Sequence, residues 1–97
     1  MDEQFVLNGI AFVWDRTKAE ANLRKHGVAF EQAAEAFFDP FLCVGEAGAE
    51  DESRDAIIGM DERWHLLFVV HVAFEDESIR LISARKATRA ERRLYED

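Results

Sequence analysis

The sequence predicts an α+β fold in which two helices near the start and one at the end pack on a small antiparallel sheet. Three observations carry that expectation. An apolar stripe with helical spacing runs between residues 30 and 38. Residues 54–85 break into short apolar segments divided by charged turns. A capping pattern then introduces a charged helix at the C-terminal end. Helices segregated from a run of strands, in the order β-α-α-β-β-β-β-α, belong to the α+β class.

Residues 5–14 are apolar and aromatic, close on Asp15, and read as one first strand. Asp15 suits a helix N-cap, and Thr17-Lys18-Ala19-Glu20 also fits a capping box. The helix that begins here passes through Ala19, Ala21 and Leu23 to Lys25-His26-Gly27. Gly27 suits the left-handed position past a helix end, and Val28 is the apolar residue that follows it. Arg24, Lys25 and His26 answer the negative end of the helix dipole. In the second helix Phe30, Ala33, Ala34, Phe37 and Phe38 form one stripe, while Glu31, Gln32 and Glu35 face away. Asp39-Pro40 ends it.

A short apolar strand is expected at residues 41–44, followed by an acidic, glycine-containing loop at 45–53. Residues 54–60 form the next strand, and Asp61-Glu62-Arg63 a tight connection. Residues 64–74 are apolar on both faces, with Leu66, Phe68, Val70, Val72 and Phe74 opposite Leu67, Val69 and Ala73. A strand of that kind is central and covered on both sides. Residues 78–85 pair back as a hairpin. Thr88 caps a last helix over residues 89–97, with Glu91 at the third position of its box.

The chain has 97 residues, enough for one domain with little stability to spare. One cysteine, Cys43, excludes an internal disulfide and fits a reducing compartment, where a lone Cys in an apolar run is a filler. The acidic start lacks the apolar core of a signal peptide, and no apolar run is long enough to span a bilayer. The expected location is cytoplasmic, away from membranes. The net charge of −8 is the reverse of a nucleic-acid binder's usual footprint. Its distribution matters more. Between Glu31 and Glu62 Arg54 stands among carboxylates, whereas residues 80–93 hold Arg80, Arg85, Lys86, Arg89, Arg92 and Arg93 against Glu91 alone. Arg16, Lys18, Arg24 and Lys25 make a second basic stretch.

With these elements placed, a family resemblance emerges. Phe12-Val13-Trp14-Asp15, Lys18, Asn22, Lys25-His26-Gly27-Val28, Phe30 and Ala33 resemble the N-terminal signature of the BrnT toxins. Arg54 ahead of a strand with Gly59, the run from Ile79 to Thr88, and Glu91-Arg92 with Tyr95 continue the likeness in order. Where the family often has a small hydroxyl residue, this chain has Ala29, which should weaken the second helix start by about 1 kcal/mol. The resemblance implies a RelE-like fold and metal-independent RNA cleavage as part of a type II toxin–antitoxin pair. It also implies a BrnA-type antitoxin whose ribbon-helix-helix domain binds operator DNA, in a dimer or a heterotetramer with the toxin. A second reading keeps a non-catalytic binding module that acts with a DNA-binding partner in transcriptional autoregulation.

Metal-free RNA cleavage needs a group to take the 2′-hydroxyl proton and cations for the charge developing on phosphate. Arg54 and Arg80, from separate strands, are the expected phosphate clamp, since a guanidinium grips phosphate with two parallel bonds. In a regular strand Arg80 and Arg85 point to opposite faces, so only a bulge or the strand's end would unite them. For proton transfer the candidates are His26, because imidazole as a group ordinarily exchanges protons near neutral pH, and Lys25, a competitor that serves if neighbouring cations ease its deprotonation. Against His26 stands the ordinary role of a last-turn His, bonding free carbonyls. Arg85, Lys86, Arg89, Arg92 and Tyr95 are the expected RNA contacts, with Tyr95 exposed for stacking. Trp14 serves stacking and core packing equally well. His71, mid-strand, reads as a satisfied interior residue, and His65 as an exposed one. Three widely spaced histidines give no zinc pattern, and the acidic loop lacks a calcium loop's alternation, so no metal or cofactor is expected.

Overall fold

The computed structural model describes residues 1–46 and 54–97, so most of the expected acidic loop lies outside the described residues. The chain folds as β1 (Asp2–Leu7), β2 (Ile10–Asp15), α1 (Arg16–His26), α2 (Phe30–Glu35), β3 (Cys43–Gly45), β4 (Asp55–Met60), β5 (Leu66–Ala73), β6 (Ile79–Lys86) and α3 (Arg89–Glu96). A single sheet of six strands runs β1-β2-β6-β5-β4-β3. The α+β class holds, with one strand more than the sequence suggested.

The extra strand comes from the first apolar segment, which is a hairpin. β1 pairs antiparallel with β2 from Asp2↔Asp15 to Leu7↔Ile10. The turn is Asn8-Gly9, both with positive φ, 50° and 82°. That dipeptide meets the demand of a two-residue hairpin for two left-handed residues, the turn whose twist matches the strands. Reading residues 5–14 as one strand missed it. β2 then lies parallel to β6 at Phe12↔Ile79 and Val13↔Arg80, the one parallel pairing among the described residues.

The helix ends follow the chain's own signals. Asp15 caps α1 by accepting from the Lys18 N–H at 3.0 Å, displacing the Thr17 alternative, and Gly27 follows at φ 71°. α2 starts at Ala29 without a side-chain cap and gives way after Glu35 to a 3-10 turn, Ala36–Phe38, so the stripe continues without a continuous α-helix. The α3 capping box is complete: Glu91 N–H bonds the Thr88 hydroxyl and the Glu91 carboxylate accepts from the Thr88 N–H.

β5 is central, as its sequence predicts. One sheet face, with Leu67, Val69, Leu81, Ala84 and Phe12, is closed by Val28, Phe30, Ala33, Ala34 and Ala36 from the helical side. The other, with Ala56, Ile58, Leu66, Phe68 and Val70, is partly covered by Tyr95 of α3. Gly59 is required on the first face. A Cβ there would sit 2.6 Å from the Ala36 carbonyl oxygen, so only glycine lets the 3-10 turn settle on β4.

A bulge in β6 decides where its cations go. Leu81 pairs with His71 and Ser83 with Val70, which leaves Ile82 as an extra residue. Leu81 and Ala84, three apart, therefore share the helical face. Arg80, opposite Val72, and Arg85, opposite Phe68, consequently lie together on the other face.

Candidate active site

Two groups of cations emerge, at opposite ends of β6. At the first end, Arg80 pairs in register with Val72 of β5. Arg54 directly precedes Asp55, the residue opposite His71, so one more step of that register falls beside Val72. Arg54 and Arg80 thus stand at the same end of the sheet, on the two sides of β5. Arg80 is already engaged: its guanidinium donates to both Asp2 carboxylate oxygens, at 2.5 and 3.3 Å. That hydrogen bond, above all, holds Asp2 below the usual carboxylate range and raises Arg80. Farther along, Arg85 grips Glu91 at 2.7 and 2.8 Å and lies 4.4 Å over the Phe68 ring. Those bonds depress Glu91 and raise Arg85 in the same way.

At the second end, where β5 begins and β6 finishes, there is an open cavity of about 460 Å³. It is lined by Gly27, Gln32, Asp61, Arg63, His65 and Lys86, among others. A neighbouring hollow carries the surface on through Trp64, His65, Lys86 and Arg92. Here the connection between β4 and β5 is built around Asp61, whose side chain is wholly enclosed. Its Oδ1 accepts from the Arg63 and His65 backbone N–H groups, both at 2.8 Å. Its Oδ2 accepts from Gln32 Nε2 at 2.7 Å and contacts His65 Nδ1 at 2.9 Å. Burial alone would push the Asp61 pKa up. The bonds from His65, Gln32 and Arg63 outweigh it and hold the carboxyl below its ordinary value.

The same loop strains Trp64. Its φ is +68°, a region costly for a bulky side chain, and its ring is 81% exposed. The His65 side chain is 44% exposed over the buried Asp61. A carboxylate on Nδ1 selects the tautomer with the proton there and leaves Nε2 as the open acceptor. Among the described residues no hydrogen bond reaches Nε2, and no group of three or more His, Cys, Asp or Glu side chains is arranged to hold a metal ion.

The sequence model of one protein family, described as "Ribonuclease toxin, BrnT, of type II toxin-antitoxin system", matches residues 14–91. The chain belongs to the BrnT family. Its fold is similar to the crystal structure of the Brucella abortus ribonuclease toxin BrnT, with a TM-score of 0.56 and 26% sequence identity. That likeness covers 78% of this chain and 94% of the Brucella one. No match was found among curated proteins. Membership makes the chain a ribonuclease toxin of a type II toxin–antitoxin system, with RNA as substrate and an antitoxin as partner. No helix among the described residues is long and apolar enough to cross a membrane.

In this BrnT-family chain the four expected catalytic residues do not gather in one cleft. Lys25 and His26 end α1 just before Gly27, which lines the cavity that holds Lys86, but neither side chain is part of that lining. Arg54 and Arg80 lie on the other sheet face, six residues back along β6, roughly 20 Å away. Of the expected RNA contacts, Lys86 and Arg92 border the cavities around His65, and Arg89 is exposed on the first turn of α3. Tyr95 is a correction. Its ring packs into the second core cluster and its hydroxyl donates to Asp39 Oδ2 at 2.6 Å, leaving it half-buried. Burial first, and then that bond, push its pKa up to about 12. Trp14 is a core residue, 3% exposed, and donates to Glu3. His71 is interior, as expected, against the Phe37 ring, while among the described residues its Nδ1 finds no hydrogen-bond partner.

Sequence reasoning passed over Asp61, Arg63 and Trp64 and gave His65 no role. The available signal was Asp61 at the head of a tight turn, where an Asp side chain bonds backbone two residues on. The periodicity of the flanking strands drew attention away from it.

Proposed function

We propose that this protein cleaves RNA without a metal ion, by attack of a 2′-hydroxyl on the adjacent phosphate, at the end of the sheet where β5 begins and β6 finishes. The observation that carries this reading is the meeting of Lys86, Arg63 and Arg92 with a half-exposed imidazole around one open surface, in a chain of a ribonuclease toxin family. Cations there oppose the charge that develops on phosphoryl oxygens. Lys25 and His26, in the last turn of α1 before Gly27, extend the contact to neighbouring phosphates, as does Arg89. Arg54 and Arg80 hold the RNA backbone farther along the strand, with Arg85 kept in its internal pair.

A BrnA-type ribbon-helix-helix antitoxin silences the toxin in the cytoplasm and carries the pair to operator DNA. The acidic remainder of a chain whose net charge is −8 keeps RNA to the basic surface and steers a basic partner segment. Induced expression of this chain alone in a bacterial host tests the reading. Growth arrest with RNA loss is expected, relieved by Lys86→Ala and by co-expression of the antitoxin from the same operon. Continued growth with abundant folded protein overturns it and favours a non-catalytic binding module.

A further inference from the structure

We infer that His65 is the general base of the cleavage step, that Asp61 positions it, and that the exposed Trp64 ring is the platform for a base next to the scissile phosphate. This inference rests on the ribonuclease reading and names the reacting groups within it.

A four-bonded buried carboxylate, a half-exposed ring on top of it and an exposed Trp at positive φ follow one another within five residues. The folding role of Asp61 is met by the backbone groups of Arg63 and His65. The imidazole is not part of that backbone closure, and the carboxylate fixes its plane and its tautomer. The positive φ of Trp64 is the conformation that a type I turn followed by a bulge demands, and Glu77 repeats it in the β5–β6 turn, so what sets this loop apart is the ring seated on its buried carboxylate. Around the ring stand Lys86 from β6, Arg63 from its own loop and Arg92 from α3, while Gln32 of α2 braces Asp61 from behind. Glu31 and Glu35 close the far wall.

The chemistry balances with these groups alone. The 2′-O–H bond breaks as its proton passes to His65 Nε2, and the freed oxygen forms a bond to the adjacent phosphorus. The P–O5′ bond breaks, and the leaving oxygen takes a proton from the Lys86 ammonium group. The products are a 2′,3′-cyclic phosphate and a 5′-hydroxyl. Solvent then returns the proton from His65 to Lys86. Arg63 and Arg92 stabilise the phosphoryl oxygens through the reaction.

The test uses the purified full chain and a mixed-sequence RNA oligonucleotide, with the all-2′-deoxy strand as the uncut reference. His65→Gln should lower kcat by roughly 100-fold or more with KM and thermal unfolding little changed, because a positioned base contributes about that much. Asp61→Asn should lower kcat while KM stays, a split that loss of the loop's structure would not produce. Trp64→Ala should raise KM by roughly fivefold or more and spare kcat, as expected for one lost stacking contact. Imidazole in the buffer should partly restore His65→Ala. Cleavage by His65→Gln within about threefold of the parent overturns the inference and leaves the ribonuclease reading standing. Absence of cleavage by the parent chain removes the ribonuclease reading itself.

Discussion

The Asn22 side chain closes on Ala84 from both sides, its Nδ2 donating to the Ala84 carbonyl at 2.8 Å and its Oδ1 accepting from the Ala84 N–H at 3.0 Å. The same Nδ2 reaches the Val28 carbonyl at 2.9 Å. β2 pairs with β6 only as far as Val13↔Arg80, because the chain then turns into α1. Ala84 therefore has no strand on that side, and the Asn22 amide stands in for one. Asn22→Ala should destabilise the protein by about 3 kcal/mol, since it strands buried backbone groups. Asn22→Asp should cost more, because it sets a carboxylate against two carbonyls. Urea unfolding monitored by tryptophan fluorescence measures both.

Gly59 makes a second, independent stability prediction. Any Cβ at that position meets the Ala36 carbonyl oxygen at 2.6 Å, and backbone has little room to give. Gly59→Ala should cost about 2 kcal/mol, the usual scale of forced overpacking. A melting temperature equal to that of the parent would show that β4 and the 3-10 turn are not in close contact.

Acid should weaken the fold in two stages, and the sign follows from which state binds more protons. Burial lowers the His71 pKa below its ordinary 6.5, so below that pH the unfolded chain takes up a proton the folded one resists. Stability is then fully present above about pH 6.5 and declines as the pH falls. Burial raises Asp61, but the bonds from His65, Gln32 and Arg63 win and hold it under 3.8, so its contribution is present above 3.8 and lost as pH falls through the depressed folded value. His71→Leu should flatten the stability profile between pH 5 and 7, roughly the range of His titration, and leave the steeper loss below about pH 4. Urea midpoints across that range separate the two stages.

Asp2 competes with RNA for Arg80 if Arg80 holds phosphate. The pair lies at the surface, so removing it should leave folding stability little changed. Asp2→Asn should tighten RNA binding severalfold at low salt, and Arg80→Ala should weaken it, with both effects shrinking as salt rises. Binding unchanged by either substitution would place the RNA path elsewhere. Fluorescence anisotropy with a non-cleavable 2′-deoxy strand gives the affinities.

Much of the architecture was legible in the residues themselves. The apolar stripe of Phe30, Ala33 and Ala34, the Gly27 cap, the Thr88–Glu91 box and the two-faced β5 each rest on contacts within a turn or a strand, and each is found as expected. The N-terminal hairpin was equally local, and Asn8-Gly9 announced it, but the run of apolar residues on either side masked the turn. RNA as the substrate came from the family likeness alone, against the net charge of −8.

What sequence periodicity cannot carry is the relation between distant segments. The bulge at Ile82 that turns Arg80 and Arg85 to one face exists because β6 must match β5 and leave Ala84 for Asn22, a fit that involves three elements. The separation of Lys25 and His26 from Arg54 and Arg80 depends on which sheet face each element covers. The placing of His65 on a buried Asp61 depends on Gln32, contributed from 29 residues away. Local propensities act within a few residues and are written in the chain. The convergence of cations and an imidazole at one end of the sheet is set by long-range pairing and burial, and only the folded structure decides it.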